Sequence, residues 1–144
     1  MTKPIYVLNG PNLNRLGKRE PEIYGTTTLA EIEAKCRAAA GSRPIEFRQS
    51  NAEHVLVDWI HEAIDQGAGI VINPAGLTFR SIPIMDALKM FPGPIFELHI
   101  SNIHRREEEW RANSLMTKAA TGIISGLGTH GYVLAVRHIA KLNG

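Results

Sequence analysis

A polar segment near the start of the chain contains residue types that could perform acid–base chemistry. Asn9–Tyr24 is about fifteen residues long, a length at which irregular connections are often functional, and it carries Arg15, Lys18 and Arg19 just before Tyr24. A phenol ordinarily ionises near pH ~10, and neighbouring cations stabilise the phenolate and lower that pKa. Tyr24 is therefore a candidate general base. The alternative is a mobile basic surface loop on which Tyr24 packs as a lid.

A second candidate group is an imidazole that follows a carboxylate by two residues. Glu97 and His99 lie in an apolar run, and the alternation of a strand would send both side chains to one face. The carboxylate would orient the imidazole and favour its protonated form, which is a competent acid. The alternative is a core histidine satisfied by a buried glutamate, and the residues alone leave both open.

The segment Gly126–Gly131 has the form G-x-G-x-x-G, after an apolar run and before a helical pattern. A dinucleotide site also needs an acidic residue roughly 20 positions further on, at the end of a second strand. The sequence reaches only Gly144, so we expect these glycines to serve close packing of the last helix instead.

Three further patterns have simpler interpretations. A zinc site made of Glu97, His99 and His104 is conceivable, but no short helical His pair or Cys cluster supports it. The single cysteine, Cys36, lies among Ala and Ile, which favours core packing over nucleophilic catalysis. The run 105–109 mixes both charge signs and predicts a solvated helical turn.

These groups must be positioned by the surrounding elements, in which short apolar runs alternate with longer helical patterns. Strands are predicted at Ile5–Leu8, Pro44–Arg48, Ile70–Asn73, Pro94–Ile100 and Gly122–Ser125. Helices are predicted at Thr28–Ala40, Glu53–Gln66, from Ser81 to Met90, and at Tyr132–Leu142. Thr28 and Glu31 have the spacing of a capping box.

Strand–helix alternation with nearly continuous apolar strands indicates an α/β fold, with a parallel sheet covered on both faces. Five strands fit a flavodoxin-like, doubly wound sheet in a single catalytic domain spanning residues 1–144. Ligands bind such sheets at the carboxyl ends of the strands. Four of the five predicted ends carry a polar side chain, at Asn9, Gln49, Asn73 and His99.

Composition limits the classes of function. Hydrophobic residues make up 44% of the 144 residues, charged residues make up 21%, and the net charge is +2. No apolar run approaches the ~20 residues of a membrane span, and the first residues do not have the pattern of a signal peptide. The basic residues are spread out, so we expect no nucleic-acid binding. Without a membrane span or a signal-peptide pattern, we expect no membrane binding and a cytoplasmic location.

Two long motifs make the chain recognisable. NGPNLN at 9–14 and REPEIYG at 19–25 resemble the type II 3-dehydroquinate dehydratases, and the resemblance continues in order along nearly the whole chain. The further matching segments are QSN at 49–51, DWIHEA at 58–63, NP at 73–74, ELHISNIH at 97–104 and GLGTHGY at 126–132.

The resemblance implies a flavodoxin-like subunit that assembles as a homododecamer of four trimers. It also implies reversible dehydration of 3-dehydroquinate to 3-dehydroshikimate without metal, cofactor or Schiff base. In that reaction a tyrosinate removes a proton alpha to the ketone, an enolate forms, and a histidine protonates the departing hydroxyl. Tyr24 matches the base, with Arg19 lowering its pKa, and His99 matches the acid, with Glu97 behind it. Asn12 matches the amide that holds the water stabilising the enolate.

The resemblance also implies a set of substrate contacts. These match Asn73, the backbone of Ile100 and Ser101, and the side chain of Arg111. Asp86 matches an acidic residue that reaches the site from a neighbouring subunit.

The sequence departs from the family pattern at three places around the implied substrate site. Phe79 stands where the family usually has a substrate-binding histidine, and Met85 stands where an arginine often precedes the aspartate. One extra residue in 105–111 makes Arg106 a competitor of Arg111 for the role of substrate arginine.

Three alternatives to the implied activity belong to different classes. Phe79 is compatible with a paralogue that acts on a related cyclic hydroxy-ketone. A non-catalytic metabolite-binding module could keep the fold, and a flavin or nucleotide protein would need a phosphate loop rich in Ser and Thr. The sequence is compatible with biosynthesis of aromatic compounds and with quinate catabolism.

Overall fold

Five apolar segments pair through their backbones into one parallel sheet, in a computed structural model that describes residues 2–18 and 20–142. Side chains are described for all of these residues except Ile23 and Tyr24. The strands are β1 (Ile5–Asn9), β2 (Ile45–Gln49), β3 (Gly69–Asn73), β4 (Ile95–His99) and β5 (Gly122–Ser125). The helices are α1 (Pro21–Tyr24), α2 (Leu29–Ala40), α3 (Glu53–Gln66), α4 (Ile82–Lys89) and α5 (His130–Leu142).

The strand order is β2-β1-β3-β4-β5, which confirms the predicted flavodoxin-like, doubly wound architecture. The chain leaves β1 toward one edge of the sheet and later returns through β3 toward the other edge. The loops after β1 and β3 therefore diverge and open a crevice. The register places Asn9 beside both Gln49 and Asn73, and His99 beside Ser125. Polar residues therefore lie together at the carboxyl ends of the strands.

Alternating side chains of each strand feed two separate cores. Ile5 and Val7 pack into the core that includes residues of α2 and α5, whereas Tyr6 and Leu8 pack into the core that includes residues of α3 and α4. Cys36 is fully buried in the first core, as predicted, and burial raises the pKa of its thiol to about 12. In residues 2–18 and 20–142 no helix is long and apolar enough to cross a membrane.

Two polar caps fix where helices begin, and the first is the capping box that the sequence predicts. The Thr28 hydroxyl accepts from the Glu31 amide at 3.2 Å, while the Glu31 carboxylate accepts from the Thr28 amide at 3.3 Å, which completes the capping box. Ser81 accepts from the Ile84 amide at 3.1 Å at the start of α4. Its hydroxyl also donates to Glu53 at 2.6 Å, so one serine connects the first turns of α3 and α4.

The structure differs from the prediction mainly at the ends of elements. Most strand and helix limits move by one or two residues; Asn9 closes β1, and α5 begins at His130. The segment Asn9–Tyr24 is not a structureless loop, because it contains a 3-10 helix at Leu13–Arg15 and the short helix α1. No periodic pattern in so short a stretch could have indicated these turns.

Gly131 explains part of the glycine motif before α5. A Cβ added at this residue would lie 3.0 Å from Leu98 Cδ1 and 3.1 Å from Ile124 Cγ2, so glycine allows α5 to approach β4 and β5 closely. The expectation that this motif serves helix packing is thus confirmed at Gly131.

Gly10 brings the loops after β1 and β3 into direct backbone contact. Its amide donates to the Asn73 carbonyl at 2.8 Å, and a Cβ at this position would lie 2.4 Å from the Pro74 carbonyl oxygen. Only glycine permits this approach, because a backbone carbonyl cannot move aside as a side chain can.

We expect Gly10→Ala to lower the free energy of unfolding by about 1–3 kcal/mol, the usual cost of overpacking. Gly76→Ala is the matched control, since a Cβ there meets nothing within 4 Å and Gly76 does not have a positive φ. Urea denaturation of both variants measures the difference. Equal stability of the two variants would contradict the steric requirement at Gly10.

Candidate active site

A cavity of about 170 Å³ opens at the carboxyl ends of β1, β3 and β4. Its polar lining residues come from four separate segments of the chain: Asn12, Asn73, His99, Ser101, Arg106 and Arg111. Among the described lining residues there are two arginines and one histidine but no carboxylate and no lysine. Such a cavity attracts anions.

Asn12 is held at the rim of the cavity by the loop after β2. Its backbone is left-handed, with φ of 71°, a conformation that asparagine tolerates better than most residues. The backbone N–H of Asn12 donates to the side-chain oxygen Oδ1 of Asn51 at 2.9 Å. The Gln49 amide group donates to the same Asn51 oxygen and to the Gly10 carbonyl, each at 3.1 Å. The QSN segment therefore positions the loop that carries Asn12.

The candidate base and its activator cannot be placed in the same way. Arg19 lies outside the described residues, and the structure describes only the backbone of Tyr24, which is the last residue of α1. Their roles stay predictions.

His99 and Glu97 form a buried pair at the end of β4. His99 Nε2 and Glu97 Oε2 are 2.5 Å apart, and the two residues are 5% and 0% exposed. The prediction that strand alternation sends both to one face is confirmed. The sequence left open whether His99 is a core histidine satisfied by a glutamate or a functional acid. The structure is compatible with both, because His99 is nearly buried and bonded to Glu97 and also lines the cavity.

Glu97 has further partners that the sequence did not suggest. The Thr117 hydroxyl donates to Glu97 Oε1 at 2.6 Å, and Ser114 adds another hydrogen bond. Burial by itself would raise the pKa of the Glu97 carboxyl, but the hydrogen bonds from His99, Ser114 and Thr117 outweigh it and hold that pKa below its usual value. Glu97 is therefore ionised at neutral pH and accepts hydrogen bonds from all three partners.

The predicted substrate contacts Asn73, Ile100 and Ser101 all line the cavity. Asn73 is 4% exposed and Ile100 is 6% exposed, so both present few atoms to a ligand. The Ser101 hydroxyl accepts from Arg106 Nη2 at 2.8 Å, and the Ser101 carbonyl accepts from the Ser125 hydroxyl at 3.2 Å.

Both competing arginines reach the cavity. The guanidinium of Arg111 lies over the ring of Trp110, 4.6 Å from its centroid, while Arg106 is bound to Ser101. The expectation of a solvated helical turn at 105–109 is wrong for Arg106. The 3-10 helix Ile103–Arg105 ends before Arg106. The backbone of Arg106 is extended, which turns its side chain toward the cavity.

An aromatic pair lies where the resemblance implies a polar substrate contact, at Phe79. The Phe79 and Trp110 rings pack edge to face with centroids 5.7 Å apart, and Phe79 lines the cavity. This wall is apolar, but Arg111 and Arg80 both lie against the Trp110 ring.

Two residues from the substrate region lie away from the cavity of the single chain. Asp86 is exposed on α4, and Met85 is half-buried against the core between the sheet and α3 and α4; neither lines the cavity. The expected role of Asp86 in a neighbouring subunit therefore stays a prediction. In the described part of the chain no group of three or more His, Cys, Asp or Glu could hold a metal ion, so Glu97, His99 and His104 do not assemble into the zinc site considered above.

We expect Thr117→Val to lower the free energy of unfolding at neutral pH by about 1.5–3 kcal/mol, the usual contribution of a hydrogen bond to a charged group. The folded-state pKa of Glu97 is lowered, so its stabilisation is complete above the unfolded-state pKa and is lost as the pH falls through the folded value. The deficit of the variant should therefore shrink below about pH 4.3. Urea denaturation across this pH range measures it.

Thr117→Ser keeps the hydroxyl and serves as the control. If the serine and valine variants were equally destabilised at every pH, the hydrogen bond to Glu97 would contribute nothing to stability.

Comparisons with known proteins agree with this arrangement. The family Dehydroquinase class II matches residues 3–140. The chain is 54% identical to a 3-dehydroquinate dehydratase of Methylobacterium radiotolerans, over 99% of this chain and 96% of that protein. It is 54% identical to 3-dehydroquinate dehydratase 2 of Agrobacterium fabrum, over 94% and 93% of the two chains.

A solved structure extends the similarity to the whole fold. The crystal structure of type II dehydroquinase from Propionibacterium acnes superposes with a TM-score of 0.91 at 45% identity, and the match covers 98% of each chain. With the family match spanning nearly the whole sequence, the protein belongs to the class II dehydroquinases.

Proposed function

We propose that this protein dehydrates 3-dehydroquinate to 3-dehydroshikimate. The observation that carries the proposal is the cavity at the carboxyl ends of the strands, where His99, which is paired with the buried Glu97, lines a space that two arginines also line. The substrate is a carboxylate and therefore an anion, which suits a cavity lined by two arginines. The names of the relatives support the same activity.

The proposed reaction begins at the carbon alpha to the ketone. Tyr24, as the phenolate, takes a proton from that carbon, and the electron pair of the C–H bond moves into an enolate. Arg19 favours the phenolate, and Asn12 holds the water that stabilises the enolate oxygen. When the enolate collapses to the conjugated enone, the C–O bond breaks and the departing hydroxyl takes a proton from His99 to leave as water.

The described geometry suits His99 as this acid. Because Nε2 is bonded to Glu97, Nδ1 is the ring nitrogen left to deliver a proton, and no hydrogen bond among the described residues engages it. The ionised Glu97 stabilises the imidazolium before the transfer.

Substrate binding in this proposal uses both arginines. Arg111 is held against Trp110 and Arg106 against Ser101, so two cations are held in place at the cavity. Asn73 and the backbone of Ile100 and Ser101 supply further polar contacts.

The proposal also includes an assembly and a location. The chain forms a homododecamer of four trimers in the cytoplasm, in which Asp86, exposed here, contributes to the site of a neighbouring subunit. Residues 1–144 form the single catalytic domain.

We expect Tyr24→Phe to lower kcat by about a hundredfold or more, as loss of a general base does. Ultraviolet absorbance of the conjugated enone at saturating 3-dehydroquinate measures turnover. With the wild type, activity should rise with pH and level off below the ordinary tyrosine pKa of about 10. Arg19→Ala should move this rise to higher pH.

Two controls accompany these variants. Tyr6→Phe removes a buried hydroxyl from the face of the sheet that packs against α3 and α4, and Arg137→Ala removes an exposed cation on α5; both should keep wild-type activity. Unchanged turnover of Tyr24→Phe would refute the base assignment, and an unmoved pH profile of Arg19→Ala would refute its activator. A wild type that forms no enone would refute the function.

For the arginines, we expect Arg106→Ala and Arg111→Ala each to raise KM by about tenfold or more, because each removes a charged contact to an anion. Steady-state kinetics with Arg137→Ala as reference checks this. A normal KM for either variant would assign substrate binding to the other arginine alone.

A second candidate function is motivated by Phe79, which presents a ring where the family offers a polar group. A paralogue acting on a related cyclic hydroxy-ketone would turn over that compound and not 3-dehydroquinate. Parallel assays of the two compounds separate these functions. Phe79→His should then improve KM for 3-dehydroquinate only if the dehydratase assignment holds.

A further inference from the structure

The buried side chains of Asn73, Tyr132 and Asn9 form a continuous chain of hydrogen bonds. Asn73 Nδ2 donates to the Tyr132 hydroxyl at 2.9 Å, and that hydroxyl donates to Asn9 Oδ1 at 2.7 Å. Asn9 Nδ2 in turn donates to the Arg48 carbonyl at 3.1 Å. Asn9 and Tyr132 have no exposed surface, so water cannot substitute for these partners.

The chain has only one consistent direction, because both of its ends are backbone groups. The Arg48 carbonyl can only accept, which makes Nδ2 of Asn9 the donor and leaves Oδ1 as the acceptor. Tyr132 must therefore donate its single hydroxyl hydrogen to Asn9 and accept from Asn73. At the other end the Ala75 amide can only donate, and it does so to Asn73 Oδ1 at 3.2 Å. The amide of Asn73 cannot be flipped without breaking both of its bonds.

This fixed orientation leaves one donor for the cavity. Nδ2 of Asn73 carries two hydrogens, and the Tyr132 hydroxyl takes one of them. The second hydrogen has no acceptor among the described residues, although Asn73 lines the cavity. An oxygen of a ligand in the cavity can accept this hydrogen.

The glycine motif before α5 explains how a tyrosine hydroxyl reaches this place. Gly126 and Gly128 have φ of 92° and 65°, so the chain turns sharply after β5. Gly131 then lets α5 pack closely on Leu98 and Ile124. Tyr132 follows immediately and crosses the core to the ends of β1 and β3, and burial raises the pKa of its phenol, which keeps it a neutral donor.

We propose that Tyr132 is a positioning residue, which orients the Asn73 amide so that it donates a hydrogen bond to an oxygen of the bound substrate. The inference rests on the proposed function, since it assigns Asn73 to the substrate of that reaction. In this role Tyr132 affects binding of the ground state and the transition state alike, so its loss changes KM more than kcat.

Tyr132→Phe tests the proposal through a split between KM and kcat. We expect KM for 3-dehydroquinate to rise about tenfold, as for one lost hydrogen bond, with kcat within about twofold of the wild type. Tyr6→Phe is the matched control, because Tyr6 is also buried and donates at 2.6 Å to Glu62, on the other face of the sheet. It should show a similar loss of thermal stability with an unchanged KM. An unchanged KM in Tyr132→Phe would overturn the proposal.

A double-mutant cycle separates orientation of Asn73 from a general loosening of the core. If Tyr132 acts through Asn73, adding Tyr132→Phe to Asn73→Ala should leave KM where Asn73→Ala alone puts it. Independent, multiplicative effects of the two changes on KM would overturn the proposal.

A measurement on the unmodified protein covers the case in which these variants do not fold. In ¹⁵N-labelled wild type without ligand, one Asn73 side-chain hydrogen should exchange slowly with solvent, because it is bonded to Tyr132. Saturating 3-dehydroshikimate should shift the other hydrogen. Rapid exchange of both hydrogens would overturn the positioning role, and so would the absence of any shift in a wild type that converts 3-dehydroquinate. A wild type without enone formation but with one protected hydrogen would instead refute the proposed function and leave the orientation of Asn73 standing.

Discussion

The arrangement of the site depends on one ionised carboxylate that has no exposed surface. A buried charge is costly unless donors compensate it, and Glu97 is compensated by an imidazole and two hydroxyls. The hydroxyl of Thr117 comes from the 3-10 helix Met116–Lys118 before β5, so satisfying the charge fixes that helix beside β4. Two residues earlier, the Leu115 amide donates to the Thr78 carbonyl at 3.0 Å. The same compensation therefore also anchors the backbone that carries Phe79.

The sequence was informative wherever a periodic pattern or a local rule applied. Short runs rich in apolar residues located all five strands, and the strand order was expected from their alternation with helices. The rule that ligands bind at the carboxyl ends of parallel strands correctly predicted that Asn9, Asn73 and His99 share one edge of the sheet. The cap at Thr28 and the shared face of Glu97 and His99 followed from spacing alone. The assignment to a family of enzymes needed more than this, namely the long motifs that the chain shares with known dehydratases.

The rest of the site could not be read in this way, because it lies in irregular segments where no period relates sequence to direction. Arg106 reads as one member of a mixed charged run, and only the extended backbone after Arg105 turns it toward Ser101. Thr117 lies 20 residues beyond the carboxylate that it satisfies, and nothing in the intervening sequence predicts their contact. Trp110 is 45% exposed, and its ring supports the guanidinium of Arg111 at the cavity, a contact that no sequence pattern indicates.

The burial of two of the three tyrosines allows the ionisation of the third to be followed by absorbance. The chain contains three tyrosines, and in Tyr6 and Tyr132 burial raises the phenol pKa, reinforced at Tyr6 by the neighbouring Glu62. Both phenols therefore stay protonated while the folded protein is titrated through moderately alkaline pH. Any tyrosinate absorbance that appears in this range comes from Tyr24 alone, so the ionisation of the proposed base can be followed directly, in the resting protein and without substrate, label or mutation.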